Sequence, residues 1–483
     1  DAPPVPWHAP GSARRPGGTQ RGRGYALTRP ALPEEFEAFL ARHPDTRMLE
    51  VLTPDMNGIF RGRRIRQSEF PALRDGSLCA TITQSLVTTT GNFNEEIDAC
   101  LTGGEPDRKL LHVPGSLAPV PWLESPTGQV IASLYERDGS PCWADPRHVL
   151  QAVVERLAAE GLRPVVATEL EFYLLAGDDR NAPRPLGAGA ADQHSGDRCA
   201  ALEDLWENDA FIEEVRAVCE AQHVPLTAVQ RESSPGQWEI NTLHVEDPLL
   251  ACDHTLLLKR IVKGVAFRHG IAATFMAKPF PESAGCGMHV HVSLNDANGR
   301  NLFVNPGRDK AGAAFTLRHV VGGLLETMPE AMAIFAPNAN SYRRFVRGAC
   351  VPLSPCWGRN HRDVSVRLPL SAAEGLRLEH RVAGADANPY LVMAAILGGM
   401  HHGLAHRCDP GEIVEEASEL PEQSRRLPSR WEPALDLFAG SAWAREYLGR
   451  DYCSAFHTMR RSECETFHAS VPNLDYDWYL RNV

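Results

Sequence analysis

The segment that most constrains this chain runs from Lys278 to Leu294 and reads Lys-Pro-Phe-Pro-Glu-Ser-Ala-Gly-Cys-Gly-Met-His-Val-His-Val-Ser-Leu. A bend carrying Gly285 and Gly287 leads into an alternating stretch. Successive side chains of a strand point to opposite faces, so His289, His291 and Ser293 share one face and Val290, Val292 and Leu294 the other. Glycine allows a tight bend or the close approach of a ligand. Neutral imidazole is a common metal ligand, which makes His-x-His at a strand end a metal-site candidate. Taken alone the signal is weak, because histidines on a half-exposed strand are usually ordinary polar-face residues.

Three other segments bear on that choice. Glu169-Leu-Glu171 lies inside the apolar run 164–175, again with both carboxylates on one face. Glu232-Ser-Ser-Pro-Gly-Gln-Trp-Glu239 follows, and Arg377-Leu-Glu379-His-Arg381 repeats the period of two. A carboxylate on an apolar strand is costly unless it is paired or coordinates a cation. Glu169, Glu171, Glu232, Glu239 and Glu379, with His289, make an oxygen-rich set suited to hard divalent cations, Mg2+ or Mn2+.

These segments resemble the catalytic domain of the glutamine synthetase family. The matching motifs are Glu169-Leu-Glu-Phe, Glu232-x-x-Pro-Gly-Gln-x-Glu-Ile, Lys278-Pro with Gly-x-Gly-Met-His-Val-His-x-Ser-Leu, Asn340-Ser-Tyr-Arg-Arg, and Arg377-x-Glu-x-Arg with Ala387-Asn-Pro-Tyr-Leu. They stand in the family's order and span roughly residues 45–483. The resemblance implies an α+β fold: a small N-terminal β-grasp domain at 31–143, then a catalytic domain at 144–483 whose curved antiparallel sheet is flanked by helices. It also implies ATP as co-substrate, two or more Mg2+ or Mn2+ per site, and a γ-glutamyl phosphate attacked by an amine. By motif position, Glu171, Glu232 and Glu239 resemble ligands of the metal nearer glutamate. Glu169, His289 and Glu379 resemble ligands of the metal bridging the ATP phosphates. Arg344 and Arg381 match glutamate-side residues, with Gly285 beside them, and Arg362 and Arg367 match phosphate contacts. Guanidinium suits these places because its planar fork stays charged and pairs two oxygens. His291, Ser293 and Arg377 match nucleotide-side residues, and His244 occupies the adenine-stacking position. Relatives form two stacked hexameric rings, a dodecamer, with each site shared between subunits.

The resemblance breaks where ammonium would sit. Family members proper carry a glutamate two residues after a Pro-Gly; this chain reads Arg347-Gly348-Ala349-Cys350. The ammonium-side aspartate loop is missing, with Thr88-Thr-Thr-Gly-Asn92 in its region. The asparagine that contacts glutamate is Ala284, and the usual Asn-Arg-Ser is His361-Arg362-Asp363. Losing a charge-assisted contact costs about 1–3 kcal/mol, and small replacements leave room for a carbon chain. An organic primary amine, as in the family's γ-glutamylpolyamine (putrescine) synthetases, is therefore the expected acceptor. Glu95, Glu96 and Asp98 are candidates for the base that deprotonates it. The alternatives are an ammonia-using enzyme and a non-catalytic regulator.

Composition narrows the remaining classes. A net charge of −12 argues against a nucleic-acid surface. No apolar run approaches the ~18 residues of a membrane span. The 12 cysteines form no Cys-x-x-Cys pair, as expected of reduced thiols in the cytoplasm. Residues 1–30, rich in Pro, Gly and Arg, read as a disordered tail without the apolar core of a signal peptide.

Along the chain, helices are expected at 33–43, 149–160, 201–223, 247–270, 310–328, 329–335, from Asn388, and through most of the last 70 residues. Lys259, Lys263 and Arg268 are placed on the surface of the fourth. Strands are expected at 47–53, 59–65, 78–90, 130–135, 164–175, 224–231 and 272–278, with an exposed insertion at 176–196.

Overall fold

The computed structural model describes residues 32–94, 96–97, 104–177, 182–187, 199–304, 315–415 and 426–483. The tail at 1–30, most of the 176–196 insertion, Glu95 and Asp98 lie outside the described residues.

The first sheet holds β1 (Met48–Pro54), β2 (Phe60–Arg66), β3 (Cys79–Ala80), β4 (Arg108–His112), β5 (Ala118–Pro119) and β6 (Thr127–Tyr135). Its order is β2-β1-β6-β4-β3, with β5 on β6. The β1/β6 pair is parallel. The β1–β2 hairpin is set by Asp55, a buried carboxylate that accepts from the Asn57 and Ile59 amides at 2.8 and 2.9 Å. Its other oxygen takes Arg61 Nε at 2.9 Å. Gly58 completes the turn at φ +71°.

The second sheet holds β7 (Arg163–Leu175), β8 (Leu226–Arg231), β9 (Gln237–Thr242), β10 (Ala272–Thr274), β11 (Met288–Asn295), β12 (Trp357–Arg359), β13 (Val366–Leu368) and β14 (Leu378–His380). Its order is β12-β13-β14-β11-β7-β9-β8, with β10 on β7. All pairs are antiparallel except β12/β13. This is the expected α+β arrangement, a curved sheet with helices against it. Buried apolar side chains of both sheets join one contiguous core.

Helices start where side chains satisfy the free amides of a first turn. Asp145 caps Pro146–Ala159, Asp247 caps Pro248–Arg268 and Asn388 caps Pro389–His406, each followed by proline at the first helical position.

Several expectations need correction. Only Cys79–Ala80 of the 78–90 stretch is strand; a 3-10 turn follows at Ile82–Gln84. The Ser85 and Leu86 amides return there to the Ile82 and Thr83 carbonyls at 3.0 and 3.1 Å, a local alternative to the ladder. The 201–223 helix is two, Leu202–Glu207 and Asp209–Ala221, because Asn208 turns its amide onto the Asp204 carbonyl at 2.9 Å. Phe315–Phe335 is one helix running through Pro329. Its buried Met328, Ala331 and Met332 keep it seated across the proline. Lys263 and Arg268 are exposed, but Lys259 is half-buried. Its Nζ donates to the Ala387 carbonyl at 3.2 Å, and burial pulls its ammonium down to about 7.

Candidate active site

Four neighbouring strands, β14-β11-β7-β9, carry five of the six expected metal ligands, and their register sets them side by side. Glu169 on β7 faces His289 on β11, Glu171 faces Glu239 on β9, and His291 faces Glu379 on β14. Alternation then turns these side chains to one face.

Two groups of possible metal-ligating atoms result, each with its atoms within 4.8 Å of one another: Glu169, His289 and Glu379, and Glu171, Glu239 and His289. His289 belongs to both. Glu232 stands beside the second group and is tied to it by Gln230, whose Nε2 donates to Glu232 at 3.1 Å and to Glu239 at 2.8 Å.

The charges in this cluster are out of balance without a cation. Burial, then Glu169, Glu171 and Glu232, push the Glu239 carboxyl up to about 9. Burial and Glu171 raise Glu232 as well. Burial also opposes the charge on Glu169, but hydrogen bonds from His289 (3.2 Å) and His291 (2.7 Å) outweigh it and hold this carboxyl low. Glu379, fully buried, is held low against burial by His289 and Arg381. Arg367 Nη1 also donates to Glu379 at 2.7 Å. Clustered carboxylates with one imidazole, one of them unable to ionise at neutral pH, fit hard divalent cations by donor type and by the charge they lack.

Arg344 is buried beneath the glycine bend, with Nη1 on the Val382 carbonyl at 3.2 Å and Nε without a hydrogen bond. A Cβ on Gly285 would meet Arg344 Cγ at 2.3 Å, and one on Gly287 would meet Nη2 at 3.3 Å. The two glycines thus make room for this guanidinium. The Gly287 amide donates to Glu171 at 2.7 Å. Arg381, also buried, pairs with Glu379, and its Nε donates to the carbonyl of Arg362 at 3.0 Å. Arg362 itself is exposed, joined to the cluster through its backbone.

His244, Ser293 and Arg377 line one cavity of about 910 Å³ at the edge of β7 and β11. His291 connects that cavity to the carboxylates. Its Nδ1 accepts from Arg377 Nε at 3.1 Å, which leaves Nε2 as the donor to Glu169. The His244 ring lies 5.9 Å from the His291 ring and is pulled down to about 4 by burial and by His291.

The sequence reading did not single out Gln230, Arg231, Tyr173 or Ser234. Buried Arg231 pairs with Asp204 and holds the carbonyls of Glu232, Ser234 and Gln237, shaping the turn between Glu232 and Glu239. Tyr173 Oη donates to the Ala284 carbonyl at 2.8 Å, and the Ala284 amide donates to Ser234 Oγ at 2.8 Å. Gln237 Nε2 reaches the Gly285 carbonyl at 3.0 Å. Gln237 was visible within its motif; Gln230 carried no signal, because its role exists only once β8 and β9 pair.

Residues 143–479 match the family description "Glutamine synthetase, catalytic domain". The gamma-glutamylputrescine synthetase PuuA of Escherichia coli strain K12 is 37% identical over 472 residues, 96% of this chain and 97% of that protein. The glutamate–isopropylamine ligase of a Pseudomonas species is 30% identical, over 88% of this chain and 93% of that one. Among solved structures, a GmaS–ADP complex aligns with a TM-score of 0.80 at 25% identity, covering 92% of this chain and 99% of that one. The chain belongs to the glutamine synthetase family. Within that family it is an ATP-dependent ligase that joins glutamate to an amine. Among the described residues no helix is long and apolar enough to cross a membrane.

Proposed function

We propose that the amine is an organic primary amine, of the putrescine class or a smaller monoamine, rather than ammonia. The observation that carries this reading is the amine side of the site. Cys350 stands where the family's glutamate would hold ammonium, Thr88–Asn92 stands in the region of its ammonium-side aspartate loop, Arg347 replaces a proline, and Ala284 replaces an asparagine that contacts glutamate. Cys350 lies in the exposed run 346–350, with its backbone in the left-handed region at φ 52°. Two relatives, a gamma-glutamylputrescine synthetase and a glutamate–isopropylamine ligase, support an organic acceptor.

In this reading Glu171, Glu232 and Glu239 hold one divalent cation, and Glu169, His289 and Glu379 another, Mg2+ or Mn2+. Bound there, such ions supply positive charge against the phosphate oxygens during phosphoryl transfer. Arg344 and Arg381 orient glutamate, Arg344 at its α-carboxylate and Arg381 at the reacting γ-carboxylate. Arg362 and Arg367 take charge on the transferred phosphoryl group. His244, His291, Ser293 and Arg377 seat the nucleotide in the cavity at the sheet edge. The γ-carboxylate attacks ATP, releasing ADP, and the free amine then displaces phosphate from the acyl phosphate. We further infer an N-terminal domain at 31–143, a catalytic domain at 144–483, a cytoplasmic location and a dodecamer with sites shared between subunits. Glu96, exposed on its segment, is a candidate amine base in such an assembly.

The test is phosphate release from ATP with Mg2+ and glutamate across ammonium, ethanolamine, isopropylamine, putrescine and spermidine, with the product weighed by mass spectrometry. Strong turnover with one organic amine and little with ammonium is the expected result. Preference for ammonium would overturn the reading.

A further inference from the structure

A second cluster of ligating side chains lies away from the ligase site, where the helices Phe315–Phe335 and Pro389–His406 cross. The crossing is close because both helices present glycine. A Cβ on Gly323 would meet the Gly399 carbonyl at 2.2 Å, and one on Gly403 would meet the His319 carbonyl at 2.0 Å. Just past this contact, Glu326 of one helix meets His402 of the other, Nε2 to Oε1 at 3.2 Å.

The third member arrives through the helix terminus. Arg407 adopts the left-handed conformation at φ 53°, and the Arg407 and Cys408 amides both return to the Gly403 carbonyl. This reversal folds Cys408 back onto the helix pair. Gly322 leaves space for it, since a Cβ there would meet the Cys408 carbonyl carbon at 2.6 Å. His319 Nδ1 lies 3.1 Å from the Cys408 carbonyl oxygen and fixes the segment. The Cys408 sulfur lies within 4.8 Å of a Glu326 carboxylate oxygen.

A carboxylate oxygen, an imidazole nitrogen and a thiol sulfur thus lie within 4.8 Å of one another. Cys408 is 8% exposed, while Glu326 reaches solvent. The ring of His406 stacks 4.2 Å from His402, and its Nδ1 is engaged with the His402 carbonyl at 3.0 Å. We propose that Glu326, His402 and Cys408 form a binding site for a borderline-soft transition metal, Zn2+ by preference, distinct from the Mg2+ or Mn2+ centres of the ligase.

The donor chemistry carries the choice of metal. Hard cations select oxygen, as in the ligase cluster, whereas thiolate with imidazole and carboxylate selects Zn2+ and its neighbours in the first transition row. Cys408 binds as thiolate, its proton passing to solvent, and Glu326 binds as carboxylate. Three protein ligands leave one tetrahedral position to water. A metal here ties the carboxyl-terminal end of one helix to the flank of the other, so its effect falls on the stability of the crossing.

The test uses the full chain, stripped with chelator and then held in excess Mg2+ to fill the ligase centres. Zn2+ alone is titrated calorimetrically, and Co2+ is used as a spectroscopic substitute, because thiolate bound to Co2+ gives a near-ultraviolet charge-transfer band. Wild type is expected to bind one additional Zn2+ and to show the band with Co2+. Cys408→Ser is expected to lose the band. Cys408→Ser and Glu326→Gln are expected to weaken Zn2+ binding by at least the roughly 10–100-fold that an outer-shell change costs. Both variants should keep Mg2+-dependent ligase turnover, which establishes that they are folded. A band that persists in Cys408→Ser, or Zn2+ binding equal in all three proteins, would overturn the proposal.

Discussion

At the scale of single residues, the site is a problem of charge. Glu239 shows it best, since its neighbours are carboxylates and its burial is nearly complete. A carboxyl raised from 4.5 to about 9 on folding keeps its proton in the folded state while the unfolded chain has lost it. The metal-free protein therefore loses stability as pH rises across that window. Glu239→Gln keeps the shape without the proton. In chelator, this variant should melt higher than wild type, by a margin that widens between pH 5 and about pH 9. In Mg2+ the order should reverse, and turnover should fall by more than about a hundredfold because a ligand is gone. Thermal melts with and without Mg2+ across pH check both signs. The glycine bend makes a steric claim of the same kind. Gly285→Ala puts a methyl 2.3 Å from Arg344 Cγ. It should cost about 1–3 kcal/mol of stability by denaturant titration, and it should raise KM for glutamate more than KM for ATP if Arg344 orients glutamate.

At the scale of elements, close approach of helices depends on residues with no side chain. Gly323, Gly399 and Gly403 let two helices meet backbone to backbone. Gly403→Ala would drive a Cβ to 2.0 Å from the His319 carbonyl, against backbone rather than a movable side chain. The expected loss is about 1–3 kcal/mol or more, read as a lower urea midpoint with the slope unchanged. Strand pairing makes the corresponding contribution to chemistry. A one-residue slip of β11 against β7 would turn His289 and His291 to the opposite face. The flanking apolar residues Val290 and Val292, both buried, oppose that slip.

At the scale of the whole molecule, the first sheet is joined to the rest by polar contacts as well as by the common core. The hairpin turn at Asp55–Gly58 touches the start of the helix Pro389–His406, where Asn388 Nδ2 donates to the Asp55 carbonyl at 3.1 Å. Arg460, from the helix Arg450–Ala469, reaches the same turn; its Nη2 donates to Asn57 Oδ1 at 2.6 Å and Nη1 to Glu463 at 2.6 Å. It is 1% exposed. Arg460→Met should cost about 1.5–3 kcal/mol, the range for hydrogen bonds to a charged group. Limited proteolysis should then cut within 55–92 sooner than in wild type, while Mg2+ binding at the carboxylate cluster stays unchanged.

The sequence by itself determined the chemistry and the faces. Periods of two at Glu169/Glu171, His289/His291 and Glu379/Arg381 assigned side chains to one side of each strand, because strand geometry allows nothing else. The starts at Asp247 and Asn388, each followed by proline, located two long helices. Departures at Ala284, Arg347 and Cys350 could be read against the family motifs without coordinates. Tertiary structure alone decided which strands became neighbours. That order made His289 common to two ligand groups and placed Gln230 between two glutamates. It also decided burial, which moved Lys259 inward and held Glu239 protonated. The crossing that gathers Glu326, His402 and Cys408 had no local signal, since the first two residues stand 76 positions apart. Local sequence fixes dihedral preferences and periodicity; which distant segments meet depends on how the whole apolar core closes.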